Sequence, residues 1–276
     1  MTNTGWKSVT VERTGAVAQV TLIGPGKNNA MGPEFWREMP LVFGGLDADP
    51  GVRSVVVTGS GRNFSYGLDL TAMGGTLGSM MSGEHTLAAP RTAFLDAIKQ
   101  MQKALNAVAD CRKPVIAAVQ GRCIGGGVDL IAACDIRYAS ADASFSIREV
   151  KVAIVADMGS LQRLPPIIGD GHLRELALTG RDIDAVRAER IGLVNDVLPD
   201  AEGVLAAAHA TAAEIAANPP LVVHGVKDVL DQERSARVNA GLRYVAAWNA
   251  AFLASEDLTE AMTAVFAQRT AEFHGR

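Results

Sequence analysis

The chain has 276 residues, 48 % of them hydrophobic, enough for one large core or one core with a small appended unit. Its formal charge is −4, with 26 Lys and Arg interspersed among 30 Asp and Glu, which excludes a basic stripe for nucleic acid and a polybasic membrane patch. The polar start from Met1 to Val9 reads against a signal peptide, no apolar stretch is long enough to span a bilayer, and the odd set Cys111, Cys123 and Cys134 lacks metal spacing, so reduced, buried thiols of a cytoplasmic protein are expected.

Val9–Glu12 and Val17–Leu22 predict a β-hairpin around Thr14-Gly15, ended by Gly24-Pro25-Gly26. A helix is expected after Gly32, with Pro33 in its first turn and Phe35, Trp36, Met39, Val42 and Phe43 along it. Val52–Thr58 reads as a buried strand closed by Gly59-Ser60-Gly61. Met73 to Ala89, rich in Gly, Ser and Met, has no period and reads as a mobile loop. Leu95, Ile98, Met101, Leu105 and Val108 recur at helical spacing. Then come a strand over Val115–Val119, a loop from Gly121 to Gly127, a short helix over Val128–Cys134, and strands at Ile136–Ala139 and Ser144–Ile147. From Leu161 helices dominate, with one more strand near Leu193–Val197. Asn218 with Pro219 reads as a helix cap and first-turn proline, and Ser255 with Asp257 and Glu260 opens the last helix. Alternating strands and helices predict an α/β core over residues 1–200, with a helical region over 201–276.

Chemistry concentrates where acids flank a glycine run. Gly125-Gly126-Gly127 lies between a predicted strand and helix, where bare backbone N–H groups and a helix N-terminus suit a phosphate or a developing oxyanion, or merely a tight turn. Neither a dinucleotide fingerprint nor a P-loop is present: Gly125-x-Gly127 is followed by Leu130, and Gly59-x-Gly61 by Phe64. The stretch Phe64-Ser65-Tyr66-Gly67-Leu68-Asp69-Leu70 also follows a strand, and one N–H from each loop would make a two-donor oxyanion hole. Three carboxylates follow. Asp129 would stabilise a helix N-terminus or move protons; Glu149 would pair with Arg148 or Lys151 or act as a base; Asp157 would cap the helix after Gly159 or sit usefully in an apolar pocket. The histidines, His85, His172, His209, His224 and His274, are scattered without metal spacing, so no metal is expected, and Ser160 lacks the nucleophile-elbow context.

These segments, with Asn29-Ala30-Met31, Lys113-Pro114-Val115, Cys134-Asp135-Ile136-Arg137, Leu161-Gln162-Arg163-Leu164-Pro165 and Thr179-Gly180-Arg181, resemble in order and spacing the enoyl-CoA hydratase/isomerase (crotonase) superfamily over nearly the whole chain. The resemblance implies a spiral of β-β-α units whose C-terminal helices build a homotrimer or a hexamer. It also implies an acyl-CoA thioester whose CoA arrives with the substrate, so that no separate cofactor is needed. The thioester oxygen would meet the N–H groups of Leu68 and Gly126, with Gly127 as neighbour; Asn29, Ser65, Tyr66, Gly67, Asp69 and Leu70 would line the acyl-CoA path. Tyr66, Gln268 and Ala271 depart from residues common in the family.

The acids Asp129, Glu149 and Asp157 together, with Phe35-Trp36-Arg37-Glu38-Met39, are similar to the dienoyl-CoA isomerases, which convert 3,5-dienoyl-CoA to 2,4-dienoyl-CoA. That likeness implies that Glu149 removes a C2 proton and Asp129 delivers one to C6, with Asp157 orienting Asp129 or keeping it protonated. The alternatives on the same scaffold are a hydratase, a shorter-chain enoyl isomerase, or a non-catalytic RNA-binding or assembly member.

Overall fold

A computed structural model describes residues 5–75 and 88–276. β1 (Val9–Thr14) and β2 (Val17–Leu22) pair antiparallel through a turn at Gly15. A 3₁₀ turn at Lys27–Asn29 precedes α1 (Pro33–Ala48), which opens with Pro33 behind Gly32 and buries the expected Phe35, Trp36, Met39, Val42 and Phe43. β3 (Ser54–Gly59) follows, then α2 (Ala88–Ala109), whose buried Ile98, Leu105 and Val108 fall on the expected face. The mobile-loop expectation for Met73 to Ala89 lies for the most part outside the described residues; Ala88 and Ala89 already belong to α2.

The next elements are β4 (Val115–Val119), β5 (Arg122–Ile124), α3 (Gly126–Ala133), β6 (Ile136–Ser140), β7 (Ser144–Ser146) and a 3₁₀ turn at Glu149–Val152. Short helices α4 (Ser160–Arg163), α5 (Pro165–Ile168) and α6 (Asp170–Thr179) lead through β8 (Ile183–Asp184), α7 (Ala185–Arg190) and β9 (Asp196–Leu198). Three helices end the chain: α8 (Ala201–Ala217), α9 (Pro220–Phe252) and α10 (Glu256–Phe266).

Two sheets share the work. The large one has the order β1-β2-β3-β4-β6-β9, parallel after the first hairpin; the small one has the order β5-β7-β8. Each of β4 and β6 in the large sheet is followed after a tight turn by a strand of the small one, β5 or β7. A bridge from Ser65 to Cys123 extends the small sheet toward the segment after β3, so the β-β-α pattern repeats as a spiral. Both faces of the large sheet are covered. Val55, Val57, Val115 and Val119 join the main core, while Val56, Ile116 and Ala118 meet Val204, Ala208 and Ala212 of α8. That explains the unbroken apolar runs of β3 and β4.

Three local expectations change. The Gly121–Gly127 loop contains β5, a strand of three residues hidden between glycines. Its helix begins at Gly126, two residues ahead of Val128. Asn218 is the C-cap of α8; Pro219 caps α9, and Pro220 occupies the first turn.

Candidate active site

The sheets bring two loops into backbone contact. Phe64 and Ser65 donate their N–H groups to Gln120 O and Arg122 O at 2.8 and 3.0 Å, and Ile124 N–H returns to Ser65 O at 2.9 Å. Gly67 then turns with φ of 75°; a Cβ there would sit 2.6 Å from Ile124 O and 2.8 Å from Gly126 N, so no side chain fits. On its other side this segment pairs with Met31, through Met31 N–H to Gly67 O at 2.7 Å and Asp69 N–H to Met31 O at 3.1 Å. In such a parallel bridge the N–H of Leu68 points away from Met31, toward the glycine run. A Cβ on Gly126 would lie 3.7 Å from Leu68 N. Among the described residues, neither Leu68 N–H nor Gly126 N–H donates to a protein acceptor. Gly126 is also the first residue of α3, where backbone N–H groups are unpaired and the helix dipole favours an anion.

Facing these donors, the three acids enter one cavity of about 150 Å³, whose walls include Trp36, Tyr66, Leu68, Leu70, Met101, Ile124, Gly126, Arg148 and Met158. Their surroundings differ. Asp129, in the first turn of α3, is 1 % exposed, and its Oδ1 accepts the N–H of Ser160 at 2.5 Å. Glu149 opens a 3₁₀ turn; its Oε1 would lie 3.2 Å from a Cβ on Gly125, and its Oε2 is buried without a hydrogen-bond partner. Asp157 keeps some accessible surface, and its Oδ2 accepts from Asn249 Nδ2 at 2.7 Å.

Burial drives all three carboxyls toward the neutral form. Burial, then the charges of Asp129 and Asp157, push Glu149 well above the carboxylate range. Burial also raises Asp129, but the Ser160 N–H and the Arg163 guanidinium favour its anion. The two carboxyls act on each other: Glu149 favours the Asp129 anion, and Asp129 holds the proton on Glu149. A single proton bound by this pair rests mainly on Glu149, because Asp129 has the better-stabilised anion. Burial raises Asp157 to about 7, opposed by the Asn249 amide and reinforced by the Asp129 charge.

The expected site residues divide. Tyr66, Leu68, Leu70, Gly126, Asp129, Glu149 and Asp157 line the cavity; Asn29, Ser65, Gly67, Asp69 and Gly127 do not. Asn29 is buried, with Nδ2 donating to Ser60 O, Asn63 O and Phe64 O and Oδ1 accepting from Ser60 Oγ. Ser65 Oγ donates to Asn29 O and accepts Gly67 N–H. Both brace the loop from beneath, and their polar atoms are taken. Asp69 Oδ1 is likewise engaged by the N–H groups of Thr71 and Ala72. Gly127 packs closely against Ser65 O and Cys123 Sγ, 3.1 and 3.3 Å from where a Cβ would stand. His172, His209, His224 and His274 line no part of the cavity, and His85 lies outside the described residues. Asp157 is not a helix cap, since Gly159 caps α4 and Asp129 takes the Ser160 N–H.

Sequence reasoning missed Asn249 and Gln102, which hold the Asp157 segment, and Trp36, Met101, Arg148 and Met158 in the wall. Asn249 carried one signal: an amide among Ala246, Ala247, Trp248, Ala250 and Ala251 is out of place on an apolar helix face. A larger groove of about 1000 Å³ beside α9, lined by Ile136, Val222, Val226 and Leu230, holds none of the three acids. The chemistry therefore belongs to the smaller cavity. Among the described residues no helix is long and apolar enough to cross a membrane.

Residues 12–276 match the enoyl-CoA hydratase/isomerase family. A peroxisomal delta(3,5)-delta(2,4)-dienoyl-CoA isomerase of Arabidopsis thaliana is 41 % identical over 99 % of both chains. A mitochondrial protein of the same name from Dictyostelium discoideum is 40 % identical over 96 % of this chain and 91 % of its own. The crystal structure of an enoyl-CoA hydratase/isomerase from Mycobacterium paratuberculosis superposes with a TM-score of 0.82 at 31 % identity, covering 93 % of this chain and 98 % of that one. A crotonase-like α/β spiral, two free N–H groups beside a cavity and these likenesses agree: the chain belongs to the enoyl-CoA hydratase/isomerase family.

Proposed function

We propose that the protein isomerises 3,5-dienoyl-CoA to 2,4-dienoyl-CoA, with all chemistry in the cavity beside Gly126. The observation that carries this reading is the third carboxyl, Asp157, in one cavity with Glu149 and Asp129. Moving two double bonds requires a proton to leave C2 and another to arrive at C6, several bonds away, so two separated acids are useful.

The thioester oxygen accepts the N–H groups of Leu68 and Gly126. Glu149, whose Oε1 lies against Gly125 beside this point, takes the C2 proton. The C2–H electron pair moves into the conjugated system, giving a dienolate whose oxygen charge the two N–H groups stabilise. Protonation at C6 then leaves double bonds at C2 and C4. The expectation that Asp129 gives this proton yields to a different division of labour. Both acids line the cavity, but Asp129 is 1 % exposed with its Oδ1 committed to Ser160 N–H, whereas Asp157 keeps some accessible surface and is pushed up to about 7. Asp157 is therefore the distal acid. Asp129 takes over the proton it shares with Glu149, freeing Glu149 as a base. Proton transfers alone balance the reaction, so the reading uses no cofactor beyond the substrate's own CoA.

Assembly into a homotrimer or hexamer is supported by unpartnered apolar faces on α9. One is the ring series Tyr244, Trp248 and Phe252; another includes Leu221, Val229 and Leu230. A monomeric mass by light scattering would end that reading. A cytoplasmic location rests on the three buried free thiols, against relatives named for mitochondria and peroxisomes, and cell fractionation decides it.

The decisive assay mixes purified protein with a 3,5-dienoyl-CoA and follows the absorbance of the conjugated 2,4-diene. Turnover is expected. Hydration of crotonyl-CoA without diene formation would overturn the assignment in favour of a hydratase.

A further inference from the structure

Asp157 lies in the irregular segment between the 3₁₀ turn Glu149–Val152 and α4, so no regular element fixes its side chain. Two amides from distant helices do so. Asn249 of α9 donates from Nδ2 to Val155 O at 2.9 Å and to Asp157 Oδ2 at 2.7 Å. Gln102 of α2 donates from Nε2 to Asp157 O at 2.8 Å and to Leu242 O at 3.1 Å, joining the same segment to α9. Asn249 is 2 % exposed. A buried amide destabilises a helix contact unless its hydrogen bonds are used, and a leucine or alanine would pack there without that cost. Both hydrogen bonds that the Asn249 amide donates go to the segment that carries the acid.

We propose that Asn249 is a positioning residue for the isomerisation: it engages Oδ2 of Asp157 and so leaves Oδ1 as the oxygen that faces the substrate and hands over the distal proton. This role rests on the part given to Asp157 above. Among the described residues Oδ1 accepts no hydrogen bond from another residue. Around Asp157, α3 contributes Asp129 and the 3₁₀ turn contributes Glu149, both acidic. Two cations lie nearby: Arg163 of α4 acts on Asp129, and Arg148 in the cavity wall pairs with Asp182. Asn249 is thus the side chain that favours the ionised form of Asp157 against burial and against the Asp129 charge. Without it, only the residue's own backbone N–H opposes burial and the Asp129 charge, the two influences that hold the proton on.

The test is Asn249→Leu, close in size but without a donor. We expect kcat to fall by about tenfold, with KM held within about threefold. The alkaline limb of the kcat profile should move up by about one pH unit. In an Asp157→Asn background the same substitution should change the residual rate by less than about twofold, because Asn249 acts through Asp157. Equal losses in both backgrounds would overturn the role, as would an unmoved limb in a folded variant. If the leucine variant does not fold, Asn249→Ser, which keeps a shorter donor, should still raise the limb by a smaller amount, and no shift there counts against the role. A carboxyl-carbon NMR titration of Asp157 without substrate separates this inference from the reading of the reaction. Wild type inactive on 3,5-dienoyl-CoA would sink the reaction while an upward shift of Asp157 in the variant still upholds the positioning. An unchanged titration would sink the positioning whatever the enzyme turns over.

Discussion

The two walls of the cavity are built from different material. The oxyanion wall is backbone: two N–H groups brought together by the spiral of strands, with Gly67 and Gly126 keeping side chains out of the contact. The acid wall is side chain: Asp129 from α3, Glu149 from a 3₁₀ turn, Asp157 from an irregular segment, the last tied to α9. The first wall is set by fold geometry and has little room to vary without damage to the fold. The second is set by individual residues that change one at a time. A family that keeps one intermediate and varies the proton chemistry would divide its site in this way.

The largest expected effect breaks the backbone wall. Gly67→Ala requires a left-handed residue and a Cβ within 2.6 Å of Ile124 O and 2.8 Å of Gly126 N, both immovable backbone. Loss of one oxyanion donor corresponds to roughly 10²–10³ in kcat, and the strained backbone adds roughly 1–3 kcal/mol of destabilisation. Gly15→Ala is the control, since Gly15 also has a left-handed φ, of 61°, but nothing lies within 4 Å of its Cβ position. It should lower stability by only about 1 kcal/mol and leave kcat intact. Thermal melts and kcat/KM on a 3,5-dienoyl-CoA read both. A folded, fully active Gly67→Ala would show that the contact between the loops is dispensable.

Next come single acids, which probe the second wall. Glu149→Gln and Asp157→Asn should each reduce kcat by roughly 10²–10⁴ with small changes in KM. Asp129→Asn should cost less than either, because Asp129 acts on Glu149 and does not face the distal carbon. If Asp129→Asn proves the most damaging of the three, the distal proton comes from Asp129 after all.

The smallest effect is on stability and depends on pH. Asp157 binds its proton more tightly folded, at about 7, than unfolded, near the ordinary aspartate value of 3.8. Its protonated form therefore favours the folded state at acid pH, and this contribution is lost as pH rises through about 7. Asp157→Asn removes the dependence. Its melting temperature should exceed that of wild type by a few degrees at pH 8, and the gap should close below about pH 4. A gap that widens toward acid would mean that the carboxylate is stabilised in the fold.

Much of the fold was legible in the sequence because the long elements carry their period. Phe35 to Phe43 and Leu95 to Val108 can bury one helical face only, and the apolar runs of β3 and β4 reflect a sheet covered on both sides. β5 was illegible because three residues between glycines have no period, and its existence depends on pairing with Ser144–Ser146. The acids and the glycine run were found by type and spacing. What spacing could not convey is which polar atoms are free. Asn29 and Ser65 belong to the recognisable motif, yet their hydrogen bonds are spent beneath the loop. Leu68, apolar in side chain, offers its N–H instead. Asn249 is far from Asp157 in sequence, and only the docking of α9 makes it part of the site.

The length of α9 has one more consequence, and it concerns timing. A chain made from its N-terminus has all three acids and both N–H donors before α9 exists. Asn249 is made after all of these and reaches back to a segment laid down long before. A half-made chain thus carries a pocket with the right groups and an unaimed acid. Full reactivity waits for α9 to dock, which ties the aiming of the distal acid to a late step of folding.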